Sequence, residues 1–436
     1  MNTKLKIKNA KWKTRGVLLL LNFAFLIFNF AFLASADSNT VSTAVRDARL
    51  AVFDDAWETV RDRYYDPAFH GLDWQAERAK FRPLAADARS TAELYSVLRR
   101  MLASLRDAHT RVYAPDERFD WRHPRYISVG ISVREVGGAP VVVSVEHNSE
   151  AEHAGLRAGD VVTSIDSEPA LELFARRLKE QAALSTLAAT RLQVMAKLFE
   201  GTVDSAVNIT WLDADGKQRS TRLRREWRER DTALRVRRVR GQIGVIEMDV
   251  FTPSIAVDLV RALNGKLRGV RGLVVDLRYN GGGETEAMTE VASAFLPAGK
   301  SLGRFTDRNG RIQFEPHTRA AMLFAPDSIK TFNAPVVVLT SERTSSAAEI
   351  FVAALKEARR ATVIGQNTCG CVLAIRRRHT LPDGGELDIS EMDYQTAGGT
   401  RLEGAGLIPD EKVQLDRQDL RARRDRAIER AIELLQ

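Results

Sequence analysis

The 436-residue chain predicts an α/β protein: a core of alternating strands and helices, an inserted β-domain, and a helical region in front of both. Three observations predict this. From Gly241 onward short apolar runs alternate with helical patterns; residues 126–170 show a period of two punctuated by glycines; and from Val41 to about Leu105 apolar residues recur every three or four positions. A chain of this length is expected to form two or three domains.

The N-terminus comes first. Residues 1–15 carry Lys4, Lys6, Lys8, Lys11, Lys13 and Arg15 with no acid, an apolar run follows from Val17 to Leu33, and Ala34-Ser35-Ala36 supplies small residues before Asp37. This predicts a signal peptide or membrane anchor over residues 1–36, hence export to the periplasm or cell envelope and membrane association through this segment if it is retained. Six of the eight net positive charges lie in that leader, so the rest of the chain is near neutral. With no nucleic-acid motif, nucleic-acid partners are not expected. The remaining excess concentrates in Arg222–Arg240, with nine arginines against Glu226, Glu229 and Asp231. It reads as a solvated strand pair, or as a site for an anionic surface.

Residues 40–122 form the helical region, with Ala51, Phe53, Trp57 and Val60 on one face and Leu94, Leu98, Met101, Leu102 and Leu105 on another. Over 126–224, Ile127, Val129, Ile131 and Val133 alternate, Gly137-Gly138 makes a turn, and Val141, Val143 and Val145 alternate again, as in a hairpin. A short helix ends on Gly155, Gly159-Asp160 turns into an apolar strand, and a helical excursion runs from about Leu171 to Phe199. Residues 236–415 hold the core: strands at Ile243–Ile246, Gly272–Leu277 and Val336–Thr340, with helices near 254–267, 284–296 and 347–354. A C-terminal helix is expected over 416–436.

Two core segments carry chemistry. After the strand Pro335–Thr340 comes Thr344-Ser345-Ser346-Ala347-Ala348-Glu349-Ile350. A hydroxyl at such a strand-to-helix turn lies beside backbone N–H groups and a helix N-terminus, where negative charge is stabilised, so it can act as a nucleophile. Ser-x-x-Glu is equally a capping box. The second segment, Asp276-Leu277-Arg278-Tyr279-Asn280-Gly281-Gly282-Gly283, ends in glycines that let backbone N–H groups approach a ligand, as an oxyanion hole or phosphate cradle; it lacks the Lys-Ser/Thr ending of a P-loop. Asp276 and Arg278 read as braces for the loop. Both cysteines, Cys369 and Cys371, would pair in an oxidising compartment, and their one-residue spacing makes the bond strained and easily reduced. Two such ligands do not make a metal site.

The Ala-Gly-Leu, Gly-Asp and Ile-Asp spacing over Tyr126 to Arg224 resembles a PDZ domain, which implies that an extended peptide adds as a strand and that N–H groups around Val129, Gly130 and Ile131 hold its terminal carboxylate. Together with Asp276–Gly283, the turn at 345–350 and Glu403-Gly404-Ala405-Gly406-Leu407-Ile408-Pro409-Asp410, the chain resembles the C-terminal processing (tail-specific) peptidases over about residues 45–415. The resemblance implies Ser346 as nucleophile, with an oxyanion hole from Ala347 and a loop glycine, Gly282.

The chain departs from that pattern where the general-base lysine belongs: Cys371 stands there, and Ile375 stands where the orienting glutamine falls. A serine needs a base. The branch similar to the tricorn protease core uses a histidine before the PDZ domain and a glutamate in the C-terminal glycine segment, which implies His109 and Glu403, with Ala108 in place of that branch's bridging serine. The expected activity is an exported serine endopeptidase acting on polypeptide ends without metal or cofactor. The alternative is an inactive peptidase fold that binds peptides or partners; a third reading is a thiol switch at Cys369 and Cys371.

Overall fold

The computed structural model describes residues 43–117, 125–181, 183–240, 242–321 and 331–436, so the leader expected over 1–36 lies outside the described residues. Helices α1 (Thr43–Arg63), α2 (Trp74–Asp87) and α3 (Thr91–Ala103) open the chain. Asp73 and Ser90 start the second and third by accepting hydrogen bonds from the N–H groups of Ala76 and Glu93. Their apolar faces meet through Phe53, Trp57, Phe81, Leu98 and Met101, and the same cluster takes in Leu373, Leu381, Leu387 and Ile389 from the far end of the chain. The helical region therefore shares a core with the residues that wall the site, rather than standing apart as the sequence boundary at residue 122 suggests. Strand β1 (Arg111–Tyr113) follows.

The β-domain contains β2 (Arg125–Ser128), β3 (Ile131–Val136), β4 (Ala139–Val145), α4 (Glu150–His153), β5 (Val161–Ile165), β6 (Glu168–Pro169), α5 (Ala170–Glu180), α6 (Leu187–Ala196), β7 (Ala206–Leu212) and β8 (Gln218–Arg224). Its sheet runs β3-β4-β5-β7-β8 with antiparallel neighbours, and β6 pairs with β5. The alternation from Ile127 to Val133 is two strands, not one. Ile131 pairs with Val145, whereas Ile127 pairs with Trp227 of β9 (Glu226–Glu229). The break falls at Gly130, whose φ of +83° and whose absent Cβ, which would lie 2.6 Å from Ser149 Cβ, both require glycine. Helix α6 packs along β3, the edge strand, and its Val194 and Met195, with Leu198 just beyond its end, share a cluster with Val133, Leu173 and Phe174.

The core comprises β10 (Arg235–Val239), β11 (Ile243–Glu247), α7 (Pro253–Asn264), β12 (Gly272–Asp276), α8 (Thr285–Ser293), β13 (Arg304–Thr306), β14 (Ile312–Phe314), β15 (Val336–Thr340), α9 (Ala347–Glu357), β16 (Ala361–Gly365), β17 (Ala374–Thr380), β18 (Glu386–Gln395) and β19 (Glu411–Lys412). Helices α10 (Arg417–Arg421) and α11 (Arg426–Leu434) end the chain, two elements where one was expected. The main sheet has the order β10-β11-β12-β15-β16-β19, parallel from β11 onward. Its strands are apolar on both faces because both are covered. Ile246, Val275, Val338 and Val363 face α7, α8 and α9, while Val245, Val274, Leu339 and Ile364 face α11. Strand β18 pairs with β1, β13 and β17, which carries the sheet of the far C-terminal half onto the N-terminal helices.

Candidate active site

Strands β12 and β15 are neighbours, so the loops leaving their C-terminal ends emerge side by side. Hydrogen bonds join them. The N–H of Ser345 donates to the carbonyl of Asn280 (3.1 Å), the Thr344 hydroxyl to that of Leu277 (2.7 Å) and the Ser341 hydroxyl to that of Arg278 (2.5 Å). Arg278 braces the first loop by bonding Asp276 and also Asp425, at 2.6 and 2.7 Å. Burial favours its neutral form, but the two carboxylates outweigh that and hold its pKa above the ordinary value.

Ser346 sits at φ 56°, ψ −126°, a conformation that costs a non-glycine residue about 1–3 kcal/mol. The surroundings impose it. Its N–H donates to the carbonyl of Cys371 (2.9 Å) and to the carboxylate of Glu349 (3.2 Å). Glu349 thus reaches back as in a capping box, and its own N–H donates to the carbonyl of Ser346 (2.8 Å). Glu349 is fully buried and also accepts from the Thr368 hydroxyl and the N–H groups of Gly370 and Cys371. Burial raises its pKa to about 7 even against these four donors.

The turned serine lines a cleft of about 950 Å³ with His109, Gly282 and Cys371. No lysine lines it. A Cβ at Gly282 would lie 2.7 Å from that of Ser346, so only glycine lets the loop back this closely onto the serine. The Gly282 N–H, however, donates to Asn280 Oδ1 (2.8 Å), and Asn280 Nδ2 donates to the carbonyl of Met248 (3.0 Å), which fixes that orientation of the amide. The Ala347 N–H, at the first turn of α9, has no hydrogen-bond partner among the described residues.

His109 is half-buried, and its backbone N–H donates to Asp107 (2.7 Å), which also accepts from the Thr110 hydroxyl. Burial lowers the imidazole pKa below 6.5; the charge of Asp107 opposes this, that of Arg111 adds to it, and that of Asp388 opposes it to a smaller extent. The ring is therefore neutral at pH 7, as a base must be. It faces the same cleft as Ser346 without a hydrogen bond between them, and its Nδ1 is buried with no partner among the described residues.

Glu403 is placed differently from its expected role. Its carboxylate accepts from the N–H groups of Val372 and Leu373 (2.7 and 3.2 Å), and no hydrogen bond joins it to His109 among the described residues. Burial raises its pKa, the Asp107 charge adds to that, and the Ser185 hydroxyl lies beside it. It holds the cleft wall just after the cysteines. Those cysteines are bonded to each other and buried. Thr186, which caps α6, donates to the carbonyl of Cys369 (2.8 Å), so the inserted helix is tied to this wall.

Of the residues expected to receive a peptide, Val129 and Ile131 are buried in the core of the β-domain. The Gly130 N–H donates to the Ser128 hydroxyl, which itself donates to Glu146. Helix α6 lies beside β3, whose outer edge pairs with no other strand among the described residues, and α6 residues Ala189, Leu192 and Gln193 line the same cleft as Ser346. Sequence reasoning gave no structural role to Asp107, Asn280 or Asp425, and saw Glu349 only as a cap. The Asp-x-His-Thr and Asn-x-Gly spacings were the available signals. Among the described residues no group of three or more His, Cys, Asp or Glu could hold a metal ion.

Residues 242–413 match peptidase family S41 and residues 46–103 match the tricorn protease C1 domain. A C-terminal processing peptidase of the chloroplast from Tetradesmus obliquus is 28% identical over 390 residues, spanning 84% of this chain and 77% of that protein. A carboxyl-terminal-processing protease from Picosynechococcus is 26% identical over 381 residues, 82% of this chain and 81% of that one. Among solved structures, the photosystem II D1 C-terminal processing protease superposes with a TM-score of 0.55 at 25% identity, covering 85% of this chain and 94% of that one.

Proposed function

We propose, from the premise that this chain belongs to peptidase family S41, whose members are C-terminal processing serine proteases, that Ser346 is its nucleophile and His109 its base. One observation carries this reading: a serine held in a left-handed turn at the start of α9 shares a cleft with a neutral imidazole and with an unengaged N–H on the next residue.

In this mechanism His109 removes the hydroxyl proton as Ser346 Oγ attacks the scissile carbonyl carbon. The oxygen that becomes negative is received by the Ala347 N–H at the positive end of α9. The imidazolium returns its proton to the leaving amine, and water then hydrolyses the acyl-enzyme by the same base. Gly282 contributes by its lack of a side chain. Its N–H becomes a second donor only when released from Asn280. Asp107 keeps the imidazole basic enough to act, and Glu403 is a positioning residue that fixes the wall after Cys371.

The substrate is an extended polypeptide. The β-domain, read as a PDZ domain, receives it along β3 once α6 gives way, and the basic, apolar leader exports the protein to the cell envelope. A fluorophosphonate probe tests the core of this reading. Labelling of the purified chain that vanishes in Ser346→Ala supports it; no labelling, or labelling that survives the substitution, refutes it and leaves a peptide-binding protein.

A further inference from the structure

Arginines and acids both line the cleft beside Ser346. Arg343 and Arg230 both line the catalytic cleft. The Arg343 guanidinium stands 5.3 Å from the centre of the Tyr279 ring, on which Arg134 also stacks at 5.6 Å, and Arg230 lies 5.8 Å from the Tyr126 ring. The acids that line the same cleft are Asp249, Glu284, Glu286, Glu342 and Asp388, and most are taken: Glu286 pairs with Arg319 at 2.6 Å and Asp388 with Arg378 at 2.8 Å. Glu342 pairs with Arg134 at 3.4 Å, Asp249 with Arg235 at 3.0 Å and Glu146 with Arg228 at 3.1 Å. Among the described residues neither Arg343 nor Arg230 has a carboxylate partner, and the buried Nε of Arg134 has no hydrogen-bond partner. Burial pushes the Arg343 pKa down to about 10, with the charges of Arg230 and Arg134 adding to that and Tyr279 and Glu342 opposing it.

We propose that Arg343 and Arg230, backed by Arg134 and Tyr279, form a carboxylate-binding subsite of the cleft. It holds an acidic side chain or the terminal carboxylate of the substrate at a set distance from the bond cut at Ser346, and in this respect it rests on the peptidase reading above. A guanidinium is weakly hydrated and presents a planar fork that matches a carboxylate, so partial burial strengthens the pair. Arg343 precedes the nucleophile by three residues on the same short loop, so an anion held there fixes the chain relative to the reacting hydroxyl.

The test measures binding without turnover, using the full chain carrying Ser346→Ala and fluorescein-labelled synthetic peptides of dephosphorylated β-casein. Each peptide is made with a free or an amidated C-terminus, and with internal Glu or Gln. Blocking the recognised carboxylate is expected to weaken binding by about tenfold or more. Loss on amidation identifies a chain end, loss on Glu-to-Gln exchange an acidic side chain. Arg343→Gln and Arg230→Gln, checked for an unchanged melting transition, are expected to erase the discrimination, and Arg343→Lys to keep part of it. Equal binding of charged and blocked peptides, no binding of either, or discrimination that survives both glutamine variants overturns the proposal. None of these outcomes depends on probe labelling of Ser346, so the subsite and the peptidase reading fail separately.

Discussion

Three side chains decide the chemistry by their surroundings rather than by their type. His109 is kept neutral by burial, and Asp107 works against that burial. Its folded pKa lies below 6.5, so activity as a function of pH should hold through pH 6.5 and fall on the acid side, where the imidazole gains its proton. Asp107→Asn removes the charge that raises that pKa and should move the acid limb of kcat/KM to lower pH; a limb that stays put or moves up would show that His109 is not the titrating base. Glu349 titrates in the opposite sense. Its folded pKa of about 7 exceeds the ordinary 4.5, so the folded state binds its proton more tightly and loses stability as pH rises between those values. The loss is about 3 kcal/mol, complete above pH 7. Denaturant unfolding from pH 4.5 to 8 should show that slope in the natural chain and a flatter one in Glu349→Gln, which does not ionise.

Among elements, α6 is the one whose position most affects access. It lies beside β3, contributes Val194 and Met195 to the β-domain core, and is tied through Thr186 to the disulfide-bearing wall. In the proposed capture, a chain that adds at β3 displaces α6 from it. Hydrogen exchange within Leu187–Ala196 is expected to rise several-fold when an unfolded peptide binds Ser346→Ala; unchanged protection there would place capture elsewhere. The turn at Ser346 and the glycine loop were legible in the sequence because both are local: a strand, a turn and a helix in one short stretch. The role of Glu349 was not, since its partners Thr368, Gly370 and Cys371 come from another loop. The strand break at Gly130 was hidden for a related reason. Hydrophobic alternation continues across it although the pairing partner changes.

At the scale of the whole molecule, distant segments close on one site. Strand β1, just after His109, pairs with β18, so the imidazole from the front of the chain is carried to the core by a sheet that joins Arg111 to Asp388. The α/β class and the order of segments followed from periodicity. This closure did not, because pairing between strands so far apart leaves no local signal. Arg278 performs a similar service by joining the glycine loop to Asp425 at the start of α11. Arg278→Ala leaves the buried Asp276 without its cation and should cost about 3–5 kcal/mol of unfolding free energy, with loss of activity before global unfolding. A loss below 1 kcal/mol in a denaturant titration would show the brace to be dispensable.

The account depends most on an imidazole serving the hydroxyl of Ser346. The direct measurement is the rate of fluorophosphonate acylation of Ser346 against pH, in the natural chain and in His109→Ala. The account predicts a rate that falls below pH 6.5 in the former and is lower by about 10²–10⁴-fold, with that limb abolished, in the latter. An unchanged rate and profile in His109→Ala would contradict it.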